Sequence, residues 1–247
     1  MDQLQNPPRP SLLKQFANFT DSTAGLEKTL RLIQALCQIV SEVTLDNALA
    51  KRCLIVKSQL ALSRRYFRFL GFIPCIEGVF NILGGNISLG SILTIIELAK
   101  FSALGIYFVL EDLTILHAMN VYLVPWNEPV LIESNKFWFY GICLSILSAV
   151  VELLFLFSRP ATTVTKKRAN GAKENGSTKE NESSETIQAQ KQSQKIMPLL
   201  KGIVVDGCDL LLPGTFLGWI QADELSVSAA MVVSTIVASG AIWEAAQ

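Results

Sequence analysis

The amino-acid sequence predicts an all-α integral membrane protein, with an N-terminal amphipathic helical region followed by two transmembrane helices. Half of the 247 residues are hydrophobic and only 17% are charged. The mean hydropathy is positive, whereas soluble globular domains usually lie near or below zero. Apolar residues gather in long runs, one of 21 residues with a single charge and one of 19 residues with none. Runs of this length are sufficient to cross a bilayer.

The first helix with a clear period begins near Leu26, after a segment of capping residues in which Asp21 or Ser22 is expected to accept hydrogen bonds from the first turn. Apolar residues then recur in steps of three and four. This pattern is typical of a surface helix that packs its apolar stripe on a soluble core. The apolar stripe is Leu26, Leu30, Ile33, Cys37 and Val40, and the polar face is Glu27, Lys28, Arg31, Gln34 and Gln38.

A basic helix is predicted next, from about Asp46 to Phe72, with Pro74 ending it because proline lacks an N–H donor. The segment from Asn47 to Ile76 holds six basic residues and no acidic one. Its apolar side chains form a wide stripe, and three of its cations lie on the opposite side. These three cations are Lys57, Arg64 and Arg68.

Such a helix suits the plane of a membrane surface, with its apolar side at the headgroup–acyl boundary and its cations on anionic lipid. The alternative is a helix packed on protein with a solvated basic face, although a solvated face usually mixes both signs of charge. The residues predicted to bind lipid are Lys51, Arg52, Lys57, Leu62, Arg64, Arg65, Tyr66, Phe67, Arg68, Phe69 and Leu70.

Residues 89–116 are apolar but carry four charged side chains, and their longest uncharged run, from Phe101 to Leu110, is too short to cross a bilayer. We therefore assign them to a helix packed within a membrane-proximal domain, with a third span as the alternative. Glu97 and Lys100 are one turn apart and are expected to pair. Residues 1–136 as a whole are predicted to form a cytosolic or membrane-surface amphipathic region.

The two predicted spans are residues 137–157, which open with four aromatic residues typical of a membrane interface, and residues 225–243. Between them, residues 158–195 have the composition of a disordered polar loop, and residues 196–224 are predicted to be a membrane-proximal helix. Residues 244–247 form a short tail. In the second span small side chains recur every four residues and predict helix association. This stripe is Ser226, Ala230, Ser234 and Ala238.

The sequence holds no recognisable catalytic apparatus. His117 is the only histidine, and no lysine of a phosphate loop follows Gly84 and Gly85. The five cysteines are odd in number and include no CxxC pair, so neither a zinc site nor a disulfide framework is indicated. The net charge is zero, so any electrostatic partner must be inferred from local clusters of charge and not from the total. Nucleic acid is not expected as a partner. We expect neither an enzyme nor a bound metal or cofactor.

Four segments, in their order along the chain, resemble the peroxin-11 family of peroxisomal membrane proteins. The first is similar to the opening motif of that family and the second to its basic helix. The third looks like its acidic-ended middle segment and the fourth like its last membrane span. The segments are Thr20–Lys28 with Arg31 and Gln34, Ser63–Gly71, Ser102–Asp112, and Val233–Trp243.

This resemblance implies a multi-pass protein of the peroxisomal membrane with both termini towards the cytosol. Such proteins elongate and tubulate the membrane before division, and they self-associate. They work with a tail-anchored fission adaptor and a dynamin-related GTPase, and a pore-like role in metabolite exchange is also attributed to them. The basic residues that follow the first span favour instead a cytosolic loop, by the positive-inside rule; here the family orientation is preferred.

The leading hypothesis is membrane remodelling. The helix from Lys51 to Phe72 would insert shallowly into the cytosolic leaflet and expand it, while the two spans anchor the protein. One rival is a metabolite channel, whose polar lining would be Glu152 and the serines of the spans (Ser145, Ser148, Ser226, Ser228, Ser234). Another is a passive scaffold that recruits fission factors.

Overall fold

A computed structural model describes residues 11–85, 91–158 and 195–247 of the chain. Within these ranges the regular structure consists of α-helices joined by turns, so the predicted all-α class is confirmed. Residues 159–194, which make up nearly all of the predicted polar loop, lie outside the described residues.

The helices begin and end close to the capping residues that the sequence offers. Ser22 Oγ accepts a hydrogen bond of 3.0 Å from the N–H of Gly25, and the Asp46 carboxylate accepts from the N–H groups of the next helix. The helices are α1 Leu12–Asp21, α2 Thr23–Val43, α3 Asn47–Phe67, α4 Phe72–Leu83, α5 Ser91–Leu113, α6 Ile115–Ala118, α7 Asn127–Ser158, α8 residues 195–209, α9 Leu211–Phe216 and α10 Glu224–Ala245.

Three of the described helices are long and apolar enough to cross a membrane. Two of them, α7 and α10, contain the predicted spans. The third candidate is Ile92–Leu113 of α5, the segment for which the sequence favoured a packed helix and kept a span as the alternative. A fourth candidate arises if α3 and α4, which meet at a bend of 42°, count as one broken span.

The helices pack as two antiparallel groups. In the first group α2 lies between α3 and α10, and in the second α5 lies between α4 and α7. The Arg64 guanidinium of α3 reaches Glu27 near the start of α2, and Gln38 near the end of α2 donates to Glu224 at the start of α10. Helix α2 therefore runs beside the candidate span α10 along nearly its whole length.

The two ends of the described chain meet at one end of the molecule. Gln15 of α1 donates a 3.0 Å hydrogen bond to the Trp243 carbonyl near the end of α10, and the Phe19 ring packs edge-on against the indole of Trp243. The last residues of α7 lie at the other end of the molecule, away from α1 and Trp243, because α7 runs antiparallel to α5. The bonds from Ser134 to Tyr107 and from Ser148 to Glu97 fix that direction.

Helix α2 buries its polar face and exposes part of its apolar face. Arg31, Gln34 and Gln38 are buried, whereas Ile33 and Val40 are exposed. The prediction of a surface helix on a soluble core is therefore wrong. The reason is that the helices facing α2 supply polar partners, while its outer face matches lipid, which is the arrangement that a membrane environment favours.

The basic helix ends earlier than predicted, and Pro74 does not end it. Helix α3 stops at Phe67, and a turn follows in which Leu70 takes a left-handed conformation with φ of 62°. Pro74 lies in the first turn of α4, where a missing N–H costs no intrahelical bond. The break thus precedes the proline and produces the bend between α3 and α4.

Close packing of α5 on α7 depends on Gly141. A Cβ atom at this position would lie 2.6 Å from Leu104 Cδ2, whereas one at Gly240 of α10 would meet nothing within 4 Å. We expect Gly141→Val to lower the free energy of unfolding by about 1–3 kcal/mol through overpacking. Thermal unfolding in detergent checks this against Gly240→Val, which adds the same side chain in open space. Equal losses in the two variants would contradict the packing.

Candidate functional site

Three arginines near the end of the basic helix, Arg64, Arg65 and Arg68, point into the protein and pair with carboxylates there. Arg64 donates through Nε to Glu27 Oε1 at 2.7 Å and through Nη1 to Gln34 Oε1 at 2.9 Å. Both partners lie on the polar face of α2. Arg64 is only 8% exposed, so these contacts replace the water that its charge loses on burial.

Arg65 and Arg68 join the end of α3 to the end of α5. Arg68 donates to Glu111 Oε1 at 3.0 Å and to the Tyr107 hydroxyl at 3.1 Å, and Arg65 donates to the Glu111 carbonyl at 2.8 Å. The Tyr107 ring in turn stacks on Trp138 of α7, with ring centroids 5.4 Å apart. These contacts connect the two groups of helices through charged side chains.

A fourth arginine, Arg31 of α2, binds both carboxylate oxygens of Asp209 on α8. Its guanidinium also donates to the Ser234 hydroxyl at 3.0 Å. Ser234 belongs to the predicted association stripe, and in this structure it is buried against α2. In the rest of the stripe Ala230 and Ala238 are half-buried and Ser226 is exposed. Association between copies through this stripe stays a prediction.

The eleven residues predicted to bind lipid divide by their surroundings. Exposed residues are Lys51, Arg52, Tyr66, Phe67, Phe69 and Leu70; half-buried ones are Lys57, Leu62, Arg65 and Arg68; Arg64 is buried. The cationic side of the basic helix has acidic partners, Glu27, Glu111 and Glu224, which come from other helices at sequence distances that periodicity does not reveal. Lipid contact itself stays a prediction for all eleven residues.

Large apolar side chains are exposed in the first half of α3, and again from the end of α3 through the bend to the end of α4. Residues 57–65 between these two stretches expose no large apolar side chain, and Lys51 and Arg52 are exposed within the first. The two stretches together form one exposed apolar set. Its exposed members are Leu49, Leu54, Ile55, Val56, Tyr66, Phe67, Phe69, Leu70, Ile73, Ile76, Phe80 and Leu83. We call this set the α3–α4 face. An exposed apolar surface of this extent marks contact with a membrane or another protein.

A second polar cluster lies between α5 and α7. Lys100 Nζ is 2.6 Å from Glu97 Oε2, which confirms the predicted pair, and the Ser148 hydroxyl donates to the other oxygen of Glu97 at 2.5 Å. Asp206 of α8 accepts a hydrogen bond from Ser145, and burial raises the pKa of its carboxyl. The cluster is thus an ion pair of Glu97 and Lys100 flanked by serine hydroxyls, and it lies within the candidate spans of α5 and α7.

Metal chemistry has no support in the described ranges, since no group of three His, Cys, Asp or Glu side chains there could hold an ion. His117 accepts a hydrogen bond of 3.0 Å at Nδ1 from the N–H of Val124. It thereby fixes the turn that follows α6, which is a structural role.

The Glu27–Arg64 pair is the contact through which α2 holds α3. Burial would raise the pKa of Glu27, but the charges and hydrogen bonds of Arg64 and Lys28 outweigh it and lower the pKa from 4.5 to about 2. We expect Glu27→Gln to reduce the free energy of unfolding by about 1–3 kcal/mol, because Arg64 loses its buried counter-charge. Denaturant unfolding in detergent measures the loss.

The matched control is Glu133→Gln, which removes an exposed pair with Lys136 and should cost less than about 1 kcal/mol. Because the folded pKa of Glu27 is depressed, its stabilisation is complete above the unfolded value of 4.5 and fades as the pH falls towards 2. The difference between wild type and Glu27→Gln should shrink over that interval. A pH-independent difference, or equal losses in the two variants, would overturn the assignment.

The chain matches a known protein family and several known proteins. The family described as Peroxisomal biogenesis factor 11 matches residues 13–243. Peroxisomal membrane protein PMP27 of Saccharomyces cerevisiae is 22% identical over 238 residues, which is 96% of each chain. Peroxisomal membrane protein PMP30A of Candida boidinii is 27% identical over 150 residues, and PMP30B of the same organism is 27% identical over 153 residues.

Each Candida match covers 58% of this chain and 58% of the relative, so little more than half of those proteins is compared. No solved structure matches the chain significantly. The family match nevertheless spans α1 to α10 and includes all four segments on which the resemblance was based. The protein belongs to the Peroxisomal biogenesis factor 11 family.

Proposed function

We propose that this protein elongates and tubulates the peroxisomal membrane before division, acting on lipid and not as an enzyme. Its family is one of peroxisomal membrane proteins that serve peroxisome biogenesis. The observation that carries the finer proposal is the α3–α4 face, an exposed apolar surface on two helices that meet at 42°.

Helix α4 is too short to cross the membrane by itself. The 12 residues of α4 span about 18 Å, which is less than the roughly 30 Å of a bilayer core. Helix α3 runs beside α2 and α10 across the membrane, so the bend after α3 and the short helix α4 are the parts that can enter one leaflet. Inserted there as a wedge, they add area to that leaflet alone through their exposed apolar side chains, and such an imbalance favours positive curvature. The spans α7 and α10 keep the wedge in the membrane.

In this proposal, and contrary to the expectation from sequence, the arginines at the end of α3 do not bind anionic lipid. Arg64, Arg65 and Arg68 are bound to protein carboxylates, so they hold the wedge on its anchor. The exposed cations Lys51 and Arg52, at the start of α3, are the ones free to meet anionic lipid. Each such contact contributes about 1 kcal/mol near a charged surface.

We also propose an orientation of the protein in the membrane and a set of partners. Because α1 contacts the end of α10, the two ends of the described chain face one side of the membrane, and we propose that this side is the cytosol. Self-association would concentrate wedges. A tail-anchored fission adaptor and a dynamin-related GTPase would then divide the tubule, and these partners rest on the family resemblance alone.

Tubulation by the α3–α4 face is tested with the full chain reconstituted in liposomes that contain anionic lipid. We expect wild-type protein to draw tubules in electron micrographs. The triple variant Ile55→Ser, Ile73→Ser, Phe80→Ser should insert normally but leave vesicles round, because the wedge loses its apolar surface. Lys51→Glu with Arg52→Glu should tubulate less on anionic vesicles.

The matched control carries Val121→Ser, Tyr122→Ser and Leu123→Ser, three residues of comparable exposure outside the bent pair. This variant should tubulate as wild type does. Tubules of normal number and width from the α3–α4 triple variant would refute the wedge, and round vesicles from wild-type protein would favour a scaffold role.

A channel is the second candidate, because the polar cluster of α5 and α7 lies inside two candidate spans. If that cluster lines a conducting path, the purified chain will give single-channel currents in planar bilayers. Glu97→Gln with Lys100→Met should then shift the reversal potential. The control pair is Glu133→Gln with Lys136→Met, which has the same spacing on an exposed surface. Absence of currents, or equal shifts in both variants, would exclude this path.

A further inference from the structure

A polar cavity lies between α2, α3, α7 and the segment around Asp209. Its volume is about 500 Å³. Its walls combine charged side chains with four apolar ones, which are Ala24, Phe67, Trp138 and Leu212. The charged members are Glu27, Lys28, Arg31, Arg64, Arg68 and Asp209.

Cations outnumber carboxylates in this cavity. Four of the lining side chains are basic and two are acidic, which leaves two positive charges. Including the adjacent pair of Arg65 and Glu111 does not change the difference. Unbalanced charge in a largely buried site is costly unless a counter-ion compensates it. The excess corresponds to a ligand with two negative charges.

The donors needed to bind such a ligand are present. The Nε–H groups of Arg31 and Arg68 are buried and have no hydrogen-bond partner within the described residues, and both side chains line the cavity. Arg31 is only 5% exposed. The first turn of α2 contributes Thr23 and Ala24 to the wall, and the N–H groups of a first turn have no partner within their own helix.

We infer that this cavity binds a phosphomonoester, a phosphate group that carries close to two negative charges at neutral pH. Guanidinium groups present paired donors that match phosphate oxygens, and several of them converge here. The volume admits the phosphate with a small polar group, and the apolar wall accommodates the carbon atoms attached to it. The same chemistry occurs in a lipid headgroup such as phosphatidic acid and in a free sugar or glycerol phosphate.

Binding at this site goes beyond the proposed remodelling, because it can be measured in flat nanodiscs where no tubule forms. The full chain is placed in phosphatidylcholine nanodiscs, and its thermal unfolding midpoint is followed in three arms. One arm adds glycerol phosphate in solution, the second includes phosphatidic acid in the disc, and the third includes phosphatidylglycerol, a phosphodiester of single charge. A ligand that binds only the folded state raises the midpoint in a saturable manner.

We expect a saturable rise with a phosphomonoester and a smaller one with phosphatidylglycerol. A rise with phosphatidic acid alone identifies the source as a lipid headgroup, and a rise with glycerol phosphate identifies a soluble ligand. Line broadening of the ³¹P resonance of glycerol phosphate, or of the phosphatidic acid headgroup, provides a second readout that does not depend on unfolding.

Two cavity variants, Lys28→Gln and Arg68→Gln, each remove one lining cation and keep a donor in its place. Each should weaken phosphomonoester binding by about tenfold, the effect of one charge-assisted contact. The control Lys14→Gln with Lys201→Gln removes two exposed cations outside both the cavity and the α3–α4 face and should bind as wild type does. Should Arg68→Gln fail to fold, Lys28→Gln at the more exposed rim keeps the test valid.

Two results would overturn the site. One is the absence of a saturable effect in both phosphomonoester arms. The other is a loss in the Lys14 and Lys201 control as large as that in the cavity variants, which would assign the effect to general surface charge.

Discussion

The ion pair between Arg64 and Glu27 constrains most of this fold. A guanidinium placed among apolar helices loses its hydration, and it is tolerated there only with a carboxylate and further acceptors around it. Glu27 and Gln34 supply these from α2, and their positions force the polar face of α2 inward. Arg31 on the same face then requires Asp209 of α8 and Ser234 of α10. One buried charge thus fixes the orientation of three neighbouring helices.

Turning the polar groups inward leaves the outer surface apolar, and that surface is where the proposed activity lies. In water the same arrangement would expose many large apolar side chains at a cost of about 25 cal/mol per Å². In a bilayer the contact of these apolar side chains with lipid has little free-energy cost. The charged network then provides the specific interaction between helices. The α3–α4 face and the arginine network therefore have one cause. The polar side of each helix packs on protein, and the apolar side is left facing outward.

Much of the helical framework follows from the sequence, whereas the partners of the charges do not. Caps at Ser22 and Asp46, the apolar runs in α7 and α10, and the Glu97–Lys100 pair depend on neighbours within a few residues. Arg31 and Asp209 are 178 positions apart, and no local pattern links them. The periodicity of α2 correctly indicated two faces but not which one is buried, because that depends on whether the surroundings are water or lipid. Pro74 was misassigned since the same residue suits a helix start.

The network also decides how the basic helix can reach the lipid. If α3 detached to lie alone on the membrane surface, its arginines would gain headgroups, but Glu111 would lose Arg65 and Arg68, and Glu27 would keep Lys28 alone as a counter-charge. Breaking one partner of a buried pair costs roughly 3–5 kcal/mol, whereas a surface contact with anionic lipid returns only about 1 kcal/mol per cation. Detachment is therefore unfavourable, and α3 enters the lipid together with α2 and its anchors. In the proposed function, these ion pairs would hold the wedge in its shape while the membrane bends around it.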